Sequence, residues 1–256
     1  MAAALVVHAA LAWHFRAAAL TTGQDDAIYL LLAKALRAGS YRDLWLVEAP
    51  VESRYPPGYP AFLAVFAGTG PGMFARGVAL NIALSMLGLA LAYLVARRWS
   101  APLAALTVVV LAVNPSLVHY AGEVRSEPLF LVLSLLVLVL LARPAPGRGR
   151  MVLAGALAIL GALTRSIGLV LLPVVLVPWL RARAWRAAGA YALVALLTVG
   201  GWLLWTVRAP VKLAGESYVA DALLSHPPAP APRRAPRGGR GAGAGPVPRP
   251  RRTRAR

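Results

Sequence analysis

Seven apolar runs set the frame of the chain, at about 1–20, 75–96, 101–121, 128–142, 151–164, 167–180 and 187–207. An apolar stretch of about 20 residues is long enough to cross a bilayer as a helix. The pattern therefore predicts an all-α, polytopic membrane helix bundle with about seven membrane segments. The runs at 151–164 and 167–180 are too short for two full spans and together long for one. They predict a helical hairpin that turns at "TRSIG" (164–168). Such a broken element is tolerated where it is buried in protein or lines a wet cavity. Between the first two runs lies a large polar segment, 21–74. Within it, 26–38 sets Ile28, Leu31, Leu32, Ala35 and Leu36 on one helical face, and Gly39 follows as a C-cap. That helix is expected to lie at the membrane surface, with Lys34 and Arg37 toward head groups.

Composition sharpens the class. The chain is 59% hydrophobic, with a mean hydropathy of +0.65, above the roughly half-apolar make-up of soluble domains. There is no cysteine, which excludes a disulfide framework, a thiolate metal site and a cysteine nucleophile. The net charge of +18 is uneven, because nine of the 27 basic residues are arginines of 226–256. Residues 222–256, rich in Arg, Pro and Gly, are expected to be disordered and separate from a membrane domain at 1–221. A basic tail can attract nucleic acid or anionic lipid. Its composition reads instead as a frameshifted or read-through end of a GC-rich gene, and no nucleic-acid partner is expected.

The remaining charges predict orientation. Arg97-Arg98, 143–150 and 181–186 are basic and carry no acid, whereas 21–74 and 122–127 hold seven of the nine acids. Short basic loops stay cytoplasmic. Seven crossings then place the N-terminus inside, and 21–74, 122–127 and the turn at Arg165 outside. The first run has no positive charge before its apolar core, which argues against a signal peptide.

Candidate chemistry gathers on that outer side. Asp25 and Asp26 read either as the N-terminus of the 26–38 helix or as a general base or metal ligand. In "RYPPGYP" (54–60), Tyr55 and Tyr59 belong either to a plain turn or to a rigid loop held over a cavity. "RSEPLF" (125–130) has the form of a helix start capped by Ser126, yet Glu127 also stands at the mouth of a membrane helix. Arg165, between two apolar arms, either snorkels outward or clamps a phosphate. His8, His14 and His119 show no ligand spacing and read as packing or interfacial residues. No phosphate-binding glycine loop, dinucleotide fingerprint or serine-hydrolase elbow occurs.

The order of "DDAIYLLLAKALRAGSYRDL", "YPPGYP", "NPSLVHYAGEVRSEPLF" and "LTRSIGLVLLP" over residues 1–210 resembles the GT-C superfamily of integral-membrane glycosyltransferases. The branch it is most similar to is that of the protein-mannosyltransferases and aminoarabinose transferases. The resemblance implies a cell-membrane, multi-pass enzyme. It would transfer a sugar from a polyprenyl-phosphate-linked donor to an acceptor on the outer face. It also implies Asp25 or Asp26 as catalytic base, Arg165 at the donor phosphate and Glu127 as a second polar group of the site. Some members bind a divalent metal and others do not, so the metal stays open here. Members are commonly much longer, so the chain reads as an N-terminal part of such an enzyme, and its activity alone is left open. The alternatives are a polytopic transporter, which would need an inverted repeat, and a non-catalytic membrane protein.

Overall fold

A computed structural model describes residues 1–20, 25–44, 49–142 and 147–208. The expected tail, 222–256, lies outside the described residues, as do residues 143–146 of the basic loop 143–150. The regular structure of the described residues is helical, apart from an isolated antiparallel bridge between Arg42 and Val51.

Each apolar run forms a helix or a helix pair. The first is α1 (Ala2–His14); the polar segment carries α2 (Asp25–Arg37) and α3 (Gly58–Phe66). Then come α4 (Met73–Ala96), α5 (Ala101–Ala112), α6 (Pro115–Ala121), α7 (Glu127–Leu141) and α8 (Arg148–Thr164). A 3-10 turn, Ser166–Val170, leads into α9 (Leu171–Arg181). Last are α10 (Trp185–Ala195) and α11 (Gly201–Arg208), joined without a break by a π-helical turn, Leu196–Gly200.

Among the described residues two helices are long and apolar enough to cross a membrane, Met73–Ala96 and Trp185–Arg208, each of 24 residues. At 1.5 Å per residue they are about 36 Å long, against a hydrocarbon core of about 30 Å. The run at 101–121 is not one straight helix. It bends by 63° between α5 and α6, where Asn114 precedes Pro115. A residue before proline is pushed out of the helical region, and the Asn114 side chain then caps α6, accepting from the Ser116 and Leu117 N–H groups. Counted as one span, this pair brings the number to three; α1, α7 and the stretch Ser166–Arg181 are apolar but shorter.

The break leaves carbonyls without helical partners, and His8 takes one of them. Its Nδ1 lies 2.9 Å from the Ala112 carbonyl and its Nε2 2.7 Å from Ser85 Oγ. A donor to the carbonyl at Nδ1 makes Nε2 the acceptor of the Ser85 hydroxyl. His8 is a fully buried packing residue that ties α1 to α4 and α5.

α4 is the centre of the bundle, packed against α7, α5 and α1, while α7, α8 and α9 continue the layer. Small residues allow close approach. A Cβ on Gly77 would come within 3.0 Å of Val124, and one on Gly168 within 2.3 Å of the Gly161 carbonyl. The second contact presses the 3-10 turn onto α8.

The bundle has two chemically distinct ends. Arg98 donates to the Ala142 carbonyl, which puts the last turns of α4 and α7 together. At the same end, α8, α9 and α10 line one groove. This basic end carries Arg97, Arg98, Arg148, Arg150, Arg181, Arg183 and Arg186. The opposite end holds α2, α3, the loop 122–127 and the Arg165 turn, and with them the described acids. Trp99 and Trp185 are exposed at the basic end, and Trp13 and Trp205 at the acid-bearing end. Between the ends large side chains face outward, among them Leu106, Val109, Leu193 and Leu196.

α2 lies at the acid-bearing end with Lys34 exposed, and it packs on the protein. Leu32 and Ala33 are completely buried against the protein, and α2 packs chiefly on α3. Arg37, an exposed residue, also bonds within the protein. Its Nη1 donates to the Ala64 carbonyl at 2.8 Å, where a cation suits the C-terminal end of α3. The stop at Gly39 has a simple cause. Gly39 sits at φ +76 with its N–H on the Leu36 carbonyl, and Ser40 N–H reaches the Ala35 carbonyl. These paired bonds form a Schellman turn, which glycine enters without steric cost.

Candidate active site

Four elements meet at the acid-bearing end: the first turn of α2, the loop before α3, the loop 122–127 with the start of α7, and the turn after α8. Asp25 opens α2, so Tyr29, one turn on, shares its face. The Tyr55 hydroxyl donates to Asp25 Oδ1 at 2.7 Å, and Arg125 Nη1 lies 3.8 Å from Asp25 Oδ2. Arg125 also binds Glu123 through Nε at 2.5 Å, and Glu123 in turn lies 3.6 Å from His119 Nε2.

A second ion pair stands beside the first. Arg165 Nη1 lies 2.7 Å from Glu127 Oε1 and donates to Ser126 Oγ at 3.0 Å. The Ser126 hydroxyl also bonds to the Tyr29 hydroxyl at 3.1 Å. Tyr29 packs edge-on against Tyr55 and Tyr59, with ring centroids 5.1 and 4.8 Å apart. One continuous chain of contacts thus runs from Asp25 through Tyr55, Tyr29 and Ser126 to Arg165 and Glu127.

The scaffold beneath is built from Asn81 and glycine. Asn81 is completely buried in α4. Its Oδ1 accepts from the Tyr59 hydroxyl at 2.9 Å, and its Nδ2 donates to the Glu123 and Arg125 carbonyls at 2.6 and 2.8 Å. One amide therefore orients both the tyrosine loop and the loop that carries Arg125. Gly58 does not serve a left-handed turn. A Cβ there would lie 2.7 Å from the Leu163 carbonyl and from Thr164 Oγ1, so glycine lets α3 start against the last turn of α8, next to Arg165.

Electrostatics divides these groups by role. Burial pushes the Tyr29, Tyr55 and Tyr59 hydroxyls above the usual phenol range; for Tyr55 the hydrogen bond to Asp25 adds to it. They remain neutral and act as hydrogen-bonding groups. The Asp25 side chain is 42% exposed and that of Arg165 35%. Of the five guanidinium N–H groups of Arg165, only those on Nη1 have described partners. Asp26 is buried, with Oδ1 accepting from the Ala27 N–H.

Several of these residues carry no motif. Tyr29 is visible only once the phase of α2 relative to Asp25 is known. Asn81 signals itself as an amide inside a long apolar run. Ser126 reads as a helix cap, but its backbone is already helical and it makes no side-chain cap; the hydroxyl serves Tyr29 and Arg165 instead. Glu52 also went unread. It is buried in the loop before α3, and its Oε1 accepts from the Arg54 and Tyr55 N–H groups, which sets the turn that presents Tyr55.

Among the described residues no group of three or more His, Asp or Glu side chains comes together to hold a metal ion. The pairs present are spent on arginine and tyrosine, and do not fit a divalent metal site. Among the described residues, one cavity lies between α8, α9 and α10, and another between α1 and the α5–α6 bend. No protein-family model, curated protein or solved structure matches the chain.

Proposed function

We propose that this chain carries the base and the phosphate clamp of a membrane glycosyltransferase that uses a polyprenyl-phosphate-linked sugar. The observation behind this is the pairing of an accessible carboxylate, Asp25, with an accessible guanidinium, Arg165, across one buried tyrosine–serine bridge. In the proposed step the acceptor O–H or N–H gives its proton to Asp25. The acceptor atom bonds to the anomeric carbon as the bond from that carbon to the phosphate oxygen breaks. The electron pair leaves on the phosphate, where the free N–H groups of Arg165 meet the developing charge. Glu127 and Ser126 hold the guanidinium in place. Asp25 is preferred to Asp26 because Asp26 is buried.

The reading includes a topology of seven membrane segments in the cell membrane, with the acid-bearing end outside. The basic loops at the opposite end and the exposed tryptophans near both ends support it. The shorter helices would cross where the bilayer thins around the protein.

Binding and transfer test the two halves separately. Polyprenyl phosphate should bind the purified chain, and Arg165→Ala should weaken binding by about tenfold or more, with Arg165→Lys between, because lysine keeps the charge and loses the planar fork. Asp25→Asn should leave binding intact and remove transfer of the sugar by a factor of about 100 or more. Equal binding by wild type and Arg165→Ala would sink the phosphate role.

A further inference from the structure

At the basic end, α8, α9 and α10 enclose a cavity of about 350 Å³. That is within the range of small-molecule sites, about 300–1,000 Å³. Its wall is nearly all hydrocarbon: Gly155, Ala156 and Ala190 leave the space, and Trp179 and Tyr191 floor it. The two rings pack edge to face at 5.0 Å, and the Tyr191 hydroxyl donates to the Leu172 carbonyl, so the floor turns ring surface toward the cavity. The single charged lining group is Arg148, in the first turn of α8.

Near that mouth Arg181, Arg183 and Arg186 are exposed, and none has a described partner. The loops 143–150 and 181–186 contain no acid to neutralise them. Exposed Trp185 marks the depth at which head groups lie. An apolar slot below a ring of unpaired guanidiniums suits an amphiphile with a hydrocarbon tail and an anionic head.

We propose that this groove binds an anionic phospholipid of the leaflet facing the basic end, with one acyl chain between α8 and α10 and the phosphate on Arg148. A second copy of the chain is the poorer occupant, because it would bring the same arginines to the contact. A zwitterionic lipid lacks the net charge that the loops call for. Each cation near an anionic head group contributes about 1 kcal/mol, so head-group charge decides the preference. The site is at the opposite end from Asp25 and Arg165 and does not depend on sugar transfer.

The test is native mass spectrometry of the full chain released from a neutral detergent, titrated with phosphatidylglycerol or phosphatidylcholine of the same acyl length. Phosphatidylglycerol should bind at least about tenfold tighter. Arg148→Glu should remove about tenfold of that preference; an acid suits a helix N-terminus, so the variant should fold. Ala190→Trp, at an exposed lining position, should fill the slot and abolish the tight binding. Arg208→Glu, at the far end, should change nothing. Equal affinity for the two lipids, tight phosphatidylglycerol binding that survives Ala190→Trp, or a dimer cross-linked through Val194 in the groove would each overturn the proposal.

Discussion

Apart from Arg98, which donates to the Ala142 carbonyl, the two ends of this bundle treat arginine in opposite ways. At the acid-bearing end Arg37, Arg76, Arg125 and Arg165 each bond to a carbonyl or carboxylate of the chain. At the basic end Arg148, Arg150, Arg181, Arg183 and Arg186 have no described partner, and the loops that carry them offer none. A guanidinium bound internally is part of the scaffold and fixes geometry. One left facing outward must find its anion in the surroundings. The first arrangement is what a site needs if groups from four elements are to meet within hydrogen-bond distance. The second is what a membrane surface accepts. Rigidity adds to this at Arg125 and Arg165, which lie on loops that Asn81 and packed glycines hold down.

The sharpest way to break that comparison is to add one methyl group at each end. Gly168→Ala would put a Cβ 2.3 Å from the Gly161 backbone, where nothing flexible can yield. The 3-10 turn would have to move, and Arg165 with it. We expect a loss of about 3 kcal/mol or more, read as a lower thermal midpoint in detergent, together with lost polyprenyl-phosphate binding. Gly189→Ala in α10 meets nothing within 4 Å and should be neutral or stabilising by up to about 1 kcal/mol. Equal tolerance of the two would mean that the acid-bearing end is no more rigid than the other.

The next effect follows from Asn81. Asn81→Leu keeps the approximate volume but leaves the Glu123 and Arg125 carbonyls without their donor and the Tyr59 hydroxyl without its acceptor. Unsatisfied buried groups cost about 1–3 kcal/mol each, and relaxation toward water should hold the total for the three near the low end, about 3 kcal/mol. The readout that separates positioning from mere stability is transfer. Asn81→Leu should depress it at temperatures where the protein is still folded, because Arg125 and Tyr59 lose register together.

How much of this was legible along the chain depends on the range of the interaction. Apolar periodicity exposed the helices, and "TRSIG" the hairpin, because both are local. The α5–α6 bend was also written locally, in Asn114-Pro115, but a hydropathy run averages over such a pair. The role of Ser126 was misread for another reason. Local chemistry offers it a helix N-terminus, and the folded chain offers Tyr29 and Arg165 instead. Asp25, Tyr55, Glu127 and Arg165 are conspicuous as polar residues beside apolar runs. Their partners Tyr29 and Asn81 emerge only from helix phase and from contacts made dozens of residues away.

Glu52 gives the smallest and most specific expectation. It lies in the loop before α3, buried, with the Trp205 indole N–H reaching its carbonyl at 3.4 Å from the far end of the sequence. Burial raises its carboxyl above the ordinary value, and the backbone N–H groups of Tyr55 and Arg54 oppose that only in part. The folded state therefore holds this proton more tightly than the unfolded chain, whose glutamates titrate near about 4.3. Its contribution to stability is fully present below that pH and is lost as pH rises through the higher folded value. Glu52→Gln keeps an oxygen for the two N–H groups and removes the titration. The variant should match wild type in acid and exceed it at neutral pH, by about 1 kcal/mol or less. Thermal midpoints of both proteins across pH 4 to 8 would show the curves diverge upward from the glutamate range. If they run parallel, Glu52 titrates no differently folded than unfolded. The acid-bearing end would then hold no strained carboxylate, and the turn that presents Tyr55 would owe its shape to backbone geometry alone.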